Sequence, residues 1–178
     1  MPHHDLHDEL QPASVREVYR GSLIRVEVES WQAGEREIVR HPGACGLVAI
    51  TAGGEVVLVR QRREPVRAEL LEIPAGIFDV EGENGAACAA RELMEETGYR
   101  AENVQPLAAI YTSPGFTDER IELFSAQAAP DGRGQEEGVE AVLMPFAEAV
   151  SAVREGRIAD AKTVAALLLA SLARPRGR

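Results

Sequence analysis

Four carboxylates carry the chemistry this sequence offers. Glu83, Glu92, Glu95 and Glu96 all lie in the stretch Pro74–Tyr99, PAGIFDVEGENGAACAARELMEETGY. If the second half is a helix, 3.6 residues per turn puts Glu92, Glu95 and Glu96 on one face. Ala86, Ala90, Leu93, Met94 and Thr97 then fall roughly opposite, on the face expected to be buried. Like charges at these spacings cost a helix roughly 0.2–0.5 kcal/mol per pair. A hard divalent cation with oxygen ligands would offset that cost. A plain solvated acidic face is the competing reading.

The neighbours of these residues favour the cation. Arg91 stands one turn before Glu95 and can pair with it, and Gly98 sits where a left-handed cap would end the helix. Upstream, Pro74 and Gly76 suit a tight turn that leads a strand into a loop. Together these residues resemble the Nudix hydrolase signature: a Gly, then a Glu, then Arg-Glu-x-x-Glu-Glu-x-Gly. Arg91–Tyr99 (RELMEETGY) matches it at every specified position. Six residues, Ile77 to Gly82, separate Gly76 from Glu83, where the family usually has five. The extra residue is expected in the loop, because an insertion in the helix would turn the ligand face by about 100°.

Composition narrows the class. A 178-residue chain with 45% hydrophobic and 27% charged residues suits one soluble globular domain, with room for a small appended element. The net charge of −10 argues against a nucleic-acid or anionic-membrane binder. An acidic protein that takes a phosphorylated substrate needs local help from metal ions or arginines. The two cysteines, Cys45 and Cys88, form neither a disulfide framework nor a metal-ligand spacing, and Cys88 reads as a small buried residue. No apolar run is long enough to span a membrane and no signal-peptide pattern is present, so a reducing cytoplasm is expected.

These side chains need elements to hold them. Residues 1–13, with His3, His4 and His7, read as a disordered tail. Short strands follow around Leu23–Val28 and Ile38–Val39, giving a small antiparallel β unit over 14–42. Trp31 in that unit is either packed or free to stack on a purine base. The main domain is expected over 43–173. Ala44–Thr51 and Glu55–Gln61 read as strands joined at Ala52-Gly53-Gly54. Strands are also expected over Val104–Thr112, Arg120–Ala128 and Val139–Met144. Helices are expected over Phe146–Arg154 and from an Asp160 cap through Leu172, with a frayed tail over 174–178.

The resemblance implies an α/β fold of Nudix type, a mixed β-sheet sandwiched between helices, with the small N-terminal antiparallel β unit ahead of it. It also implies a reaction: Mg²⁺-dependent hydrolysis of a pyrophosphate, with Mn²⁺ as a possible substitute and more than one ion per site. Glu92 and Glu96 would be metal ligands, with the backbone carbonyl of Ala75. Glu95 would share a second ion or orient Arg91, and Glu83 would pair with Arg91 to hold the loop against the helix.

Outside the helix, Gln61-x-Arg63 and Leu71–Gly76 resemble stretches of the ADP-ribose pyrophosphatase branch. So does Pro114, sixteen residues beyond Gly98 in a Ser-Pro-Gly loop. Substrate contacts are therefore expected from Arg63, Glu72, Pro114, Phe116, Glu119 and Trp31. Arginine forks suit phosphate oxygens. A glutamate on the Pro130–Gly138 loop would handle the attacking water, with Glu136 and Glu137 as candidates and Glu137 preferred at the junction with the next strand. Such relatives form homodimers that exchange N-terminal strands. A dinucleotide or sugar nucleotide as substrate, or a non-catalytic ligand-sensing domain, are the alternatives.

Overall fold

A computed structural model describes residues 11–132 and 137–173. The expected disordered tail, apart from residues 11–13, Glu136 and the tail from 174 lie outside the described residues. The chain divides into two units, residues 1–42 with 113–119, and residues 43–112 with 120–178.

The first unit is a three-stranded antiparallel sheet of β1 (Ser14–Arg20), β2 (Arg25–Trp31) and β3 (Gly34–Arg40), with β2 in the middle. The β2–β3 hairpin turns at Gly34, whose φ of 105° needs a residue without a Cβ. Arg40 ties the sheet together, pairing with Glu27 at 2.7 Å, with the buried Glu29, and with Asp118 at 3.2 Å. The Ser113–Glu119 loop joins this unit by backbone bonds, Val39 N–H to the Phe116 carbonyl at 2.7 Å and Asp118 N–H to the Val39 carbonyl at 3.3 Å.

The second unit is a seven-stranded mixed sheet. Its main path runs β10 (Val139–Pro145), β5 (Glu55–Arg63), β4 (Ala44–Thr51), β9 (Arg120–Pro130) and β8 (Tyr99–Tyr111). Two short strands join it: β6 (Ala68–Glu72) on β5 and β7 (Ala75–Ile77) on β4. Among the described strand pairs of this sheet, only β4 and β9 run parallel. The helices are α1 (Gly85–Thr97), α2 (Phe146–Arg154) and α3 (Ala161–Ala173).

Alternation along β4 builds two core layers. Ala44 and Val48 pack with Phe146, Ala149 and Ala152 of α2 and Ala166, Leu167 and Ala170 of α3. Cys45, Leu47 and Ala49 face the other way, onto Cys88, Ala89 and Leu93 of α1. A strand buried on both faces reads as the continuous apolar run ACGLVAI. The expected sandwich of a mixed sheet between helices is what the chain forms. Strand β6, paired with β5, is the strand that leads into the Pro74 turn, whereas β7 was not expected, because it has no pattern of its own and exists through its pairing with β4.

Candidate active site

The site begins at a bond pattern that a proline permits. Pro74 has no N–H to offer a ladder, and its carbonyl accepts from Leu47 N–H at 3.0 Å. β7 then runs antiparallel to β4, with Ala75 opposite Gly46, Gly76 opposite Cys45 and Ile77 opposite Ala44. A Cβ on Gly76 would overlap the carboxyl carbon of Glu92. Only glycine lets the strand approach the helix this closely.

α1 is held at both ends. The Asn84 side chain accepts from Ala87 N–H at 2.9 Å, and Gly98, with φ 72°, donates its N–H to the Met94 carbonyl at 2.9 Å. The sixth loop residue is taken up before the helix, in a turn where Glu83 N–H donates to the Val80 carbonyl at 3.2 Å and Gly82 adopts φ 81°. The helical spacing of the glutamates is untouched.

The orientation of the helix corrects the expected face. Its buried residues are Cys88, Ala89, Leu93, Glu96 and Thr97. At about 100° per residue these span one arc, and Glu92 and Glu96 lie within it. Ala86, Ala90 and Met94, expected to be buried, are only partly covered. Glu96 is 4% exposed and accepts from Ala75 N–H at 3.2 Å. Glu95 is the solvent-facing member, with its side chain 54% exposed. The three carboxylates are therefore graded in depth rather than equal members of a wet face.

Arg91 gathers the remaining charge. It pairs with Glu92 at 2.6 Å, Glu95 at 3.0 Å, Glu83 at 3.1 Å and Asp79 at 3.2 Å. The hydrogen bonds it donates to Glu83, with Glu92 and Glu95 alongside, hold its proton more firmly than usual. Glu83 on the loop is thus paired with Arg91 on the helix. Asp79, on the same loop, adds a contact that sequence reasoning missed. Burial pushes the Glu92 carboxyl up, and Arg91 opposes that rise.

Among the described residues, no three acidic, histidine or cysteine side chains converge on one point. As placed, Arg91 takes up Glu92 and Glu95, while Glu96 turns to Ala75. The donor set itself is all hard oxygen: two partly or fully buried carboxylates, a third at the surface, and the β7 backbone. That set fits a divalent cation of the Mg²⁺ or Mn²⁺ kind, provided Glu92 rotates off Arg91.

A second ionic group fixes the strand that enters β7. Glu72 is 1% exposed, and both its oxygens face the Arg63 fork, at 2.8 and 2.7 Å. The buried Lys162 of α3 also donates to it. Lys162 pairs in turn with Asp160 at 3.1 Å. Thr163 Oγ1 donates to Asp160 at 2.6 Å and accepts from Ile73 N–H at 2.9 Å. Glu72, expected at the substrate, is thus enclosed and engaged by Arg63 and Lys162. Arg63 keeps 40% of its side chain exposed. Lys162 went unremarked in the sequence, although one lysine within AKTVAALLLA is an anomaly that signals a buried partner.

The other expected residues divide between the units. Trp31, Pro114, Phe116 and Glu119 belong to the first. Trp31 is partly buried, its indole N–H bonded to Glu29 at 2.9 Å, and Phe116 is 53% exposed. Glu119 lies 3.8 Å from His41. Glu137 is exposed in the second unit, two residues before Val139, which pairs with Gln61.

Comparison with known proteins gives the family of this fold. Residues 39–167 match the model of the NUDIX domain. A methanol dehydrogenase activator of Bacillus methanolicus is 38% identical over 161 residues, covering 85% of this chain and 86% of its own. An ADP-ribose pyrophosphatase of Bacillus subtilis (strain 168) is 39% identical over 147 residues, covering 80% and 79%. A crystal structure titled ADP compounds hydrolase superposes with a TM-score of 0.76 over 91% of this chain and 92% of its own, at 24% identity, a likeness of fold. With the helix, its glycine neighbour and its arginine hub in place, the chain belongs to the Nudix family.

Proposed function

We propose that this protein hydrolyses the pyrophosphate bond of ADP-ribose to AMP and ribose 5-phosphate, with Mg²⁺ as its cofactor. The observation that carries the reading is the placement of Glu92 and Glu96 on the buried arc of α1, against the backbone of Ala75 and Gly76. The name of the Bacillus subtilis relative supports the substrate.

In the reaction a water oxygen bonds to one phosphorus and the bridging P–O bond breaks. Divalent ions, more than one per site, would neutralise the pyrophosphate and acidify the water when bound. Glu92, Glu96 and the Ala75 carbonyl would hold them, and Glu95 at the surface would serve a second ion. Arg91 binds Glu83 and Asp79, which keeps the loop closed against the helix. Arg63, locked by Glu72, offers its exposed edge to phosphate oxygens. Glu137 takes the proton from the attacking water. In the N-terminal unit, Trp31 and Phe116 offer ring faces to the base, Pro114 shapes the loop, and Glu119 accepts from a ribose hydroxyl.

A homodimer is part of the same proposal. Every residue of the edge strand β1 is exposed, including Val15 at 53% and Tyr19 at 56%, and an open edge of this kind invites a second copy. Light scattering should give the mass of two chains. No nucleic-acid or membrane partner is proposed, and no helix among the described residues is long and apolar enough to cross a membrane. The proposed compartment is the cytoplasm.

Turnover of ADP-ribose, NADH, a diadenosine polyphosphate and ADP-glucose, measured side by side with Mg²⁺, tests the substrate. ADP-ribose should give the highest kcat/KM, with AMP and ribose 5-phosphate as products. A clear preference for another member of the panel would overturn it.

A further inference from the structure

Two thiols that this chemistry does not use lie against each other. Cys45, in β4, and Cys88, near the start of α1, are both fully buried, with their sulfurs 2.7 Å apart. They come from segments 43 residues apart in the chain. Cys45 Sγ faces the Gly76 carbonyl at 3.5 Å, and Cys88 Sγ faces the Ile77 carbonyl at 3.5 Å. The pair therefore sits under β7, where the strand meets the helix, one turn before Glu92. A disulfide has its sulfurs about 2.05 Å apart, so bonding would draw them together by only about 0.7 Å.

We propose that Cys45 and Cys88 form a two-electron redox pair, which a small peroxide converts to a disulfide that staples α1 to β4. The Cys88 thiolate attacks one peroxide oxygen, the O–O bond breaks, and hydroxide leaves, giving a sulfenic acid. Cys45 then loses its proton and attacks that sulfur, and the S–O bond breaks as hydroxide departs. With the two thiol protons, both hydroxides become water. The sulfurs lose two electrons and the peroxide gains them.

The order follows from the surroundings. Burial pushes both thiols up; at Cys88 the hydrogen bond from Cys45 offsets part of that rise, while the charge of Arg91 works against those of Glu92 and Glu83. Arg91 is 3.8 Å from Cys88 Sγ. Burial also excludes bulky disulfide oxidants, so the pair answers to peroxide, and slowly.

The test uses the whole chain, reduced with dithiothreitol or treated with hydrogen peroxide, then denatured, alkylated and digested with trypsin. Cys45 and Cys88 fall in separate peptides, residues 41–60 and 68–91. Peroxide should yield one linked pair of these peptides, resistant to alkylation and released by dithiothreitol. The oxidised chain should melt several degrees higher, because a link across this span restricts the unfolded state. The Cys45→Ala variant should give no linked peptide and should gain oxygen at Cys88. Peptides that stay alkylatable, oxygen added to both cysteines without linkage, a link between two chains, or a linked chain that melts no higher would each overturn the proposal.

Discussion

Gly76 lies so close to Glu92 that a Cβ at position 76 would overlap the glutamate's carboxyl carbon. The backbone of β7 thereby bounds the space of the Glu92 carboxylate, which Arg91 holds at 2.6 Å. Gly76→Ala should push Glu92 aside and lower Mg²⁺-dependent turnover about 10²-fold, the scale of a 1 Å misplacement. The added methyl should cost about 1–3 kcal/mol in stability, as overpacking does. Steady-state kinetics and thermal melts separate the two effects. Wild-type turnover in a folded variant would show that the placement of Glu92 is not required.

Glu96 tests the depth of the site. The hydrogen bond it accepts from Ala75 N–H can be kept by the amide oxygen of glutamine, so Glu96→Gln preserves shape and removes charge. Turnover should fall by about 10² or more while the melting temperature holds, since the lost group acts on a metal-bound substrate. Near-normal turnover at saturating Mg²⁺ would remove Glu96 from the ligand set.

The helix and its C-terminal cap were legible because capping and helical spacing are local properties, although the Asn84 cap at the other end was not read. Gly98 and the 92/95/96 spacing both read correctly from the chain. The buried arc was not, because periodicity arguments assign every glutamate to the wet side, whereas here Glu96 is enclosed by its bond to β7. β7 itself is three residues long and carries a proline before it and a glycine within it. Nothing local marks it as a strand; β4 makes it one. The enclosure of Glu72 was hidden for a similar reason, since Lys162 is 90 residues away and meets it only after α3 packs.

The Glu72 group predicts a pH dependence of stability. Burial alone would raise its carboxyl, but Arg63 and Lys162 outweigh burial and hold it below its ordinary 4.5. A group whose folded value is depressed stabilises the fold above its unfolded value, and that contribution is lost as pH falls through the folded value. Glu72→Gln removes the carboxylate that Arg63 and Lys162 share, leaves Lys162 with Asp160 alone, and should cost about 3 kcal/mol near neutrality. The gap in melting temperature between wild type and variant, on the order of 10 °C, should stay level from neutrality down to about pH 5 and narrow below about 4.5. A gap that instead widened on acidification would contradict the pairing.

Glu137 carries the proposed proton transfer, and its setting makes the prediction specific. It is exposed, at a turn completed by Gly138 with φ 86°, and the next residue opens β10 opposite Gln61. Since β5 and β10 run antiparallel, this turn lies toward the Arg63 end of β5. No ion pair or side-chain bond of the described fold depends on it, so Glu137→Gln should melt as the wild type does. Removal of a general base costs about 10²–10⁴ in rate. That loss belongs in kcat and not in KM, because the proton moves only as the bond forms. Measuring both constants for Glu137→Gln and Glu136→Gln assigns the role. A large fall in kcat in the first variant alone supports Glu137; the same fall in the second alone transfers the proton to Glu136.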